Sequence, residues 1–169
     1  MHWTTLTRHL PALCLVLLAT TAGAAEDRQW SVNEPDLGAT PMQAAIDVRE
    51  GTWLSLDVSP DGRHITFDLL GDIYEIPIGG GKARALVSGH AWEMQPRYSP
   101  DGRHIVFTSD RSGGDNLWLL ERASGELRQL TFEDFRLLNN PVWSPDGHYL
   151  AARKHFTTSR SLGTGEIWL

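Results

Sequence analysis

The sequence predicts an all-β fold, a β-propeller of four-stranded antiparallel blades, and three observations carry that prediction. A Ser-Pro-Asp-Gly tetrapeptide occurs three times, beginning at Ser59, Ser99 and Ser144, so successive copies lie 40 and 45 residues apart. That period belongs to four-stranded propeller blades. Each copy is flanked by short runs rich in β-branched and aromatic residues, and a further run recurs behind it with Tyr74, Trp118 or Trp168 in register. Inside the tetrapeptide Pro presets the first central turn position, Asp tolerates the second, and Gly supplies the left-handed residue that ends the turn.

In chain order, the first 25 residues read as an export signal. Arg8 and His9 precede a ten-residue apolar run, Leu10 to Ala19, which is too short to span a bilayer. Small residues follow at Ala22-Gly23-Ala24-Ala25, as a signal peptidase requires. Cys14, the one cysteine, lies inside the apolar run rather than after it, so it does not read as a lipid attachment point. The mature chain then has neither a disulfide framework nor a cysteine-based zinc site. Residues 26–51 are polar and read as a linker, or (Ala44 to Val48) as the strand that completes the last blade of the ring.

From residue 52 onward the blades begin. The first copy gives strands over 53–58, 64–69, 72–76 and 84–87. The second gives strands over 105–109, 116–120 and 127–131, and the third reaches its third strand at 166–169. Glycine turns at Gly79-Gly-Gly81 and Ser124-Gly125 introduce the fourth strands. About two and three-quarter blades leave an open sheet edge, whereas propellers close with four or more, so the chain reads as a fragment of a longer protein.

Composition excludes some functions. The formal charge is −6, with 15 Lys and Arg against 21 Asp and Glu; without the signal segment and its Arg8 it becomes −7. So acidic a domain, with no basic run, is no nucleic-acid binder and no ligand of anionic membranes. No transmembrane segment is expected after signal cleavage.

Local catalytic signals are missing too. Gly79-Gly-Gly-Lys82 lacks phosphate-loop spacing and a following helix, and there is no Gly-x-Ser-x-Gly elbow. His64 and His104 occupy equivalent places in two blades and read as solvated strand ends, so no metal ligand, cofactor site or catalytic residue is assigned to this chain.

One feature departs from the repeat. From Phe67 to Tyr74, Phe107 to Trp118 and Ala152 to Trp168 the separations grow through 7, 11 and 16 residues. All the added length falls between the second and third strands. Turns alternate ends in an antiparallel blade, so the loops 110–115 and 154–165 share a face with the inter-blade links 88–93 and 132–139. The Ser-Pro-Asp-Gly turns take the opposite face. The loop face collects His90, Trp92, Asp110, Arg111, Arg136, Asn139, Asn140, His155 and Arg160, a candidate binding face on a rigid scaffold. Arg111, Arg136 and Arg160 are expected to be removable together with little effect on stability.

The Ser-Pro-Asp-Gly blades, with Thr108-Ser-Asp-Arg111 and Asn116-Leu-Trp118, resemble the WD40-like repeats of TolB propellers over residues 52–169. TolB carries an α/β domain between signal and propeller, for which residues 26–51 leave no room. The stretches 58–74, 136–141 and 154–168 look more like large secreted proteins with a TolB-like propeller ahead of a metal-dependent amidohydrolase barrel. That resemblance implies a periplasmic or secreted parent that hydrolyses C–N bonds with a zinc-like metal bound beyond Leu169. The partner of the propeller would be that downstream domain, or an envelope protein if the chain is a TolB-type binding module without catalysis. A third reading is the propeller of a prolyl-oligopeptidase-like serine peptidase.

The export reading predicts a mature protein starting just after Ala24 or Ala25. Mass spectrometry of the envelope fraction checks this; a protein that retains Met1 contradicts it.

Overall fold

The computed structural model describes residues 31–35, 45–155 and 165–169. The signal segment, Ala44 and residues 156–164, with Arg160, lie outside the described residues. Residues 45–48 form no strand. The described strands are β1 (Leu56–Val58), β2 (His64–Leu69), β3 (Asp72–Pro77), β4 (Arg84–Val87), β5 (Glu93–Tyr98), β6 (His104–Ser109), β7 (Asn116–Glu121), β8 (Leu127–Gln129), β9 (Leu138–Trp143), β10 (Leu150–His155) and β11 (Gly165–Trp168). There is no helix among the described residues, hence none long and apolar enough to cross a membrane.

These strands form three antiparallel sheets, β1-β2-β3-β4, β5-β6-β7-β8 and β9-β10-β11. The aligned aromatic positions are cross-strand partners: Phe67 faces Tyr74, Phe107 faces Trp118 and Ala152 faces Trp168. The growing separations are therefore loop length, as the repeat implies. Two strands are shorter than the sequence predicts. The first begins at Leu56 because Trp53 adopts a left-handed backbone (φ 57°), which breaks the pleat. The strand β8 stops at Gln129 because the Thr131 hydroxyl, not a backbone carbonyl, accepts the Leu117 N–H at 2.9 Å.

Each tetrapeptide turn is closed by its own side chains. The Ser59 hydroxyl donates to Asp61 at 2.6 Å and accepts the His64 N–H at 2.9 Å, while Asp61 accepts the Arg63 N–H at 3.0 Å. Ser99–Asp101 and Ser144–Asp146 repeat the pattern. The serine hydroxyl, followed by the backbone N–H, holds all three aspartates below the usual carboxylate range. The turns also stack: a side chain on Gly102 (φ 70°) would meet the ring of Pro60 at 3.5 Å, and one on Gly147 (φ 73°) would meet Pro100 at 3.6 Å.

The sheets stack in chain order, with β5 packed on the first and β9 on the second. Alternate side chains of β6 therefore face different neighbours. Ile105 and Phe107 join Ile73, Val87, Tyr98 and Leu120 in the first inter-blade core. Val106 joins Leu117, Leu119, Leu138 and Ala152 in the second. Both faces of the middle blade are buried, so β6 is buried along nearly its whole length, Thr108 and Ser109 included. A side chain as large as fully buried Phe107 contributes about 2 kcal/mol by that burial.

A polar ladder links the inner strands. Gln95 and Asn140 stand at equivalent bulges, each left-handed (φ 57° and 53°) and each followed by proline. The Gln95 N–H donates to Asp68 of the preceding blade at 2.7 Å, and the Asn140 N–H donates to the Gln95 amide oxygen at 2.7 Å.

The first junction also holds an ionic cluster. Glu75, 6% exposed, accepts from the Tyr98 hydroxyl at 2.9 Å, from Arg122 at 2.6 and 3.1 Å and from Arg84 at 3.1 Å. Burial alone would raise its pKa; the donors Arg122, Tyr98 and Arg84 outweigh that and hold it below the usual glutamate range. At the second junction Leu119 and Trp143 take the places of Glu75 and Tyr98.

A carboxyl whose pKa is lower in the folded than in the unfolded chain adds stability above about pH 4.3, and that stability is lost as pH falls. Glu75→Gln is therefore expected to lower the unfolding free energy at pH 7 by about 2 kcal/mol, the scale of hydrogen bonds to a charged group. The deficit should narrow toward acid. Urea denaturation at pH 7 and pH 4 checks this, and an equal deficit at both values contradicts it.

Candidate functional site

Backbone amides, not only side chains, draw the loops to one end of the blades. The Glu93 N–H donates to the carbonyl of Gly71 in the β2–β3 turn at 2.8 Å. The Gly89 N–H reaches Asp72 at 3.3 Å, and the Trp92 N–H reaches Asp110 of the β6–β7 loop at 2.8 Å. On the next blade Asn116 brackets Glu133, accepting its N–H at 2.8 Å and donating to its carbonyl at 3.0 Å. Lys154 of β10 pairs with the Glu133 carboxylate at 2.5 Å. The link 132–137 is thereby pinned from the inside while Phe132 (79% exposed) and Phe135 (61%) face solvent.

The residues singled out in the sequence have different fates. His90, Trp92 and Asp110 lie together, His90 exposed and Trp92 49% exposed. Arg136 is half-buried in the second link. Asn139 and Asn140 belong to β9, which begins at Leu138 and so takes in the last two residues of the expected link; Asn139 is buried and Asn140 exposed. His155 ends β10 and is 2% exposed, with no hydrogen-bond partner on either ring nitrogen among the described residues. Arg160 lies outside the described residues.

Arg111 requires a correction. Its guanidinium is 14% exposed, pairs with Glu93, which has no exposed side-chain surface, and lies 5.2 Å from the Trp118 ring centroid. It is a structural ion, not a free surface group. Burial lifts the Glu93 carboxyl above the usual glutamate range, against the opposing pull of the Arg111 hydrogen bond. Sequence reasoning treated Glu93 only as the end of a link, because nothing local marks its partner 18 residues away.

The two ends of the blades differ in chemistry. Trp53, Leu70, Trp92, Phe132 and Phe135 are large, exposed and at the loop end, whereas Val58, Ile78 and Tyr149 are their counterparts at the turn end. The described loop segments 70–72, 88–92, 110–115 and 130–137 carry Asp72, Asp110, Asp115, Glu133 and Asp134 against Arg111 and Arg136. Asp115 is buried and Glu133 is paired with Lys154, so Asp72, Asp110 and Asp134 are the acids that lie beside the exposed rings. Among the described residues no three His, Cys, Asp or Glu side chains cluster to hold a metal ion.

Comparison with known proteins places this geometry. The model of the TolB β-propeller domain (PD40) matches residues 37–165. The uncharacterized peptidase YuxL of Bacillus subtilis is 31% identical over 131 residues, covering 77% of this chain and 18% of the relative. The Tol-Pal system protein TolB of Anaeromyxobacter dehalogenans is 31% identical over 141 residues, covering 83% and 26% respectively. A solved TolB-type structure from Agrobacterium tumefaciens superposes with a TM-score of 0.57 at 28% identity, covering 63% of this chain and 40% of that one. The chain thus spans about a fifth to a quarter of the curated relatives it matches.

Removing Arg111 leaves the Glu93 carboxylate buried without its countercharge. Arg111→Ala should therefore cost about 3–5 kcal/mol, the usual penalty for breaking a buried pair from one side. Converting both partners to apolar residues, as in Glu93→Leu with Arg111→Met, should recover most of the loss. Thermal and urea unfolding check both; a single substitution within 1 kcal/mol of the parent, about the scale of an exposed pair, contradicts the structural role.

Proposed function

The chain belongs to the TolB β-propeller family, and from that membership and the loop face we propose that it is the propeller part of a longer exported hydrolase. In this reading the propeller supplies no reacting group. Its loop face holds or gates a neighbouring catalytic domain in the periplasm or outside the cell. That domain is a metal-dependent amidohydrolase acting on C–N bonds, as the resemblance of residues 58–74, 136–141 and 154–168 implies.

The observation that carries the proposal is the asymmetry of exposed apolar side chains. Trp53, Leu70, Trp92, Phe132 and Phe135 crowd the loop end, and the second link is bonded so that its phenyl rings point outward. A rigid scaffold with aromatic anchors at one end is built to be covered there. The turn end offers three near-identical tetrapeptides that stack on one another and distinguish no partner.

A second reading has its own support. YuxL is named a peptidase, which favours a serine peptidase as the domain the propeller serves. The TolB relative keeps a third in play, an envelope-binding propeller without catalysis. The coding DNA beyond Leu169 separates them: His-X-His after further blades for the amidohydrolase, Gly-x-Ser-x-Gly for the peptidase, and a stop codon after the last blade for the binding module.

In the full-length polypeptide, Phe132→Ser with Phe135→Ser should lower activity or partner affinity at least about tenfold, as loss of an aromatic anchor does. The midpoint of thermal unfolding should hardly move. Ile78→Ser at the turn end is the matched control. Equal damage from the control contradicts the face assignment.

A further inference from the structure

We propose that the loop face carries a cation site at the junction of the first two blades, in which the Trp92 indole and the Asp72 carboxylate receive an arginine side chain of an extended peptide. The inference rests on the reading above, in which this face meets a polypeptide, and adds the chemistry by which it does so.

The geometry begins at Gly71. Its φ is +87°, it is buried, and a Cβ there would stand 3.0 Å from an indole carbon of Trp92. One side of the indole therefore rests on bare backbone that only glycine provides. The backbone around the ring is pinned as well, the Trp92 N–H on Asp110 at 2.8 Å and the Glu93 N–H on the Gly71 carbonyl at 2.8 Å. With 49% of the residue exposed, the indole is a held plate open to solvent.

Charge completes the site. Asp72 follows the glycine, and its carboxylate accepts the Gly89 N–H at 3.3 Å and the Tyr74 hydroxyl at 3.2 Å, which fixes its place beside the same link. Asp110, bonded to the Trp92 N–H, adds negative field. Arg111, which follows Asp110, is turned inward onto Glu93. An aromatic face attracts cations through its quadrupole, most strongly for Trp, and a planar guanidinium can stack on it while bonding a carboxylate.

The protein already makes this pairing internally. Arg111 lies over Trp118 at 5.2 Å and Lys154 over Trp168 at 4.1 Å. Among the described residues none places a cation over Trp92. The site is also particular to this junction: at the second, Leu137 stands where Trp92 does, and Asn116 where Asp72 does. The next blade thus keeps the fold while lacking both plate and carboxylate.

The test is calorimetric titration of the full-length polypeptide with acetyl-Ala-Arg-Ala-amide and with its citrulline analogue, which is nearly isosteric and uncharged. The arginine peptide should bind, and the citrulline peptide at least about tenfold more weakly, the effect of losing a stacked, carboxylate-paired charge. Trp92→Ala and Asp72→Asn should each weaken the arginine peptide by about fivefold, with Trp92→Phe intermediate. Equal binding of the two peptides overturns the proposal, as does no binding of either at millimolar concentration. If Trp92→Ala perturbs folding, Asp72→Asn decides, since asparagine keeps an acceptor for Gly89. Phe132→Ser with Phe135→Ser should leave peptide binding unchanged, so unimpaired docking of that variant with retained peptide binding would remove only the reading above.

Discussion

A blade is a sheet with two apolar faces, and the need to cover both governs the structure. On β6, Phe107 points into one neighbour and Val106 into the other, both with no exposed surface. A four-stranded sheet cannot do this alone, so each blade is stable only between two others. The outer blades show the consequence. Leu56 and Val58 on the first, and Ile167 and Leu169 on the third, remain exposed where the middle blade buries equivalent positions.

Stacking faces must also be kept in register, and the polar groups do that. The tetrapeptide turns lock at one end, each proline lying against the glycine of the next blade. Toward the loop end, Asp68 and Gln95 each accept the N–H of the following bulge. The left-handed backbone of Gln95 and Asn140 is the cost of aiming those amides across the junction, and the hydrogen bonds offset it. A one-sheet slip would break both of these cross-junction bonds.

Two buried glutamates show how neighbours decide the meaning of one residue type. Glu75 has three donor residues and is held ionised, so its contribution is present above the unfolded pKa and lost in acid. For Glu93, with Arg111 as its ion-pair partner, burial prevails and lifts the pKa. Its contribution has the opposite sign, full below the unfolded pKa and lost as pH rises through the folded one. The apolar counterparts of the first, Leu119 and Trp143, fill the same place at the next junction without ions.

The blades were legible in the sequence because their signals are local. Ser, Pro, Asp and Gly specify a turn within four residues, and Phe67 with Tyr74 or Phe107 with Trp118 pair across a hairpin the chain closes on itself. So was the division into a turn face and a loop face, which follows from antiparallel alternation alone. The fate of particular loop residues was not. Arg111 reads as a surface charge until β5 brings Glu93 beneath it, Asn139 as a link until β9 takes it in, and Trp92 as an exposed ring until Gly71 slides under it. Each of these depends on a residue in another strand or another blade. Turn chemistry acts over neighbouring bonds and is written in order along the chain, whereas burial and ion pairing are set by distances that exist only after the sheets have stacked.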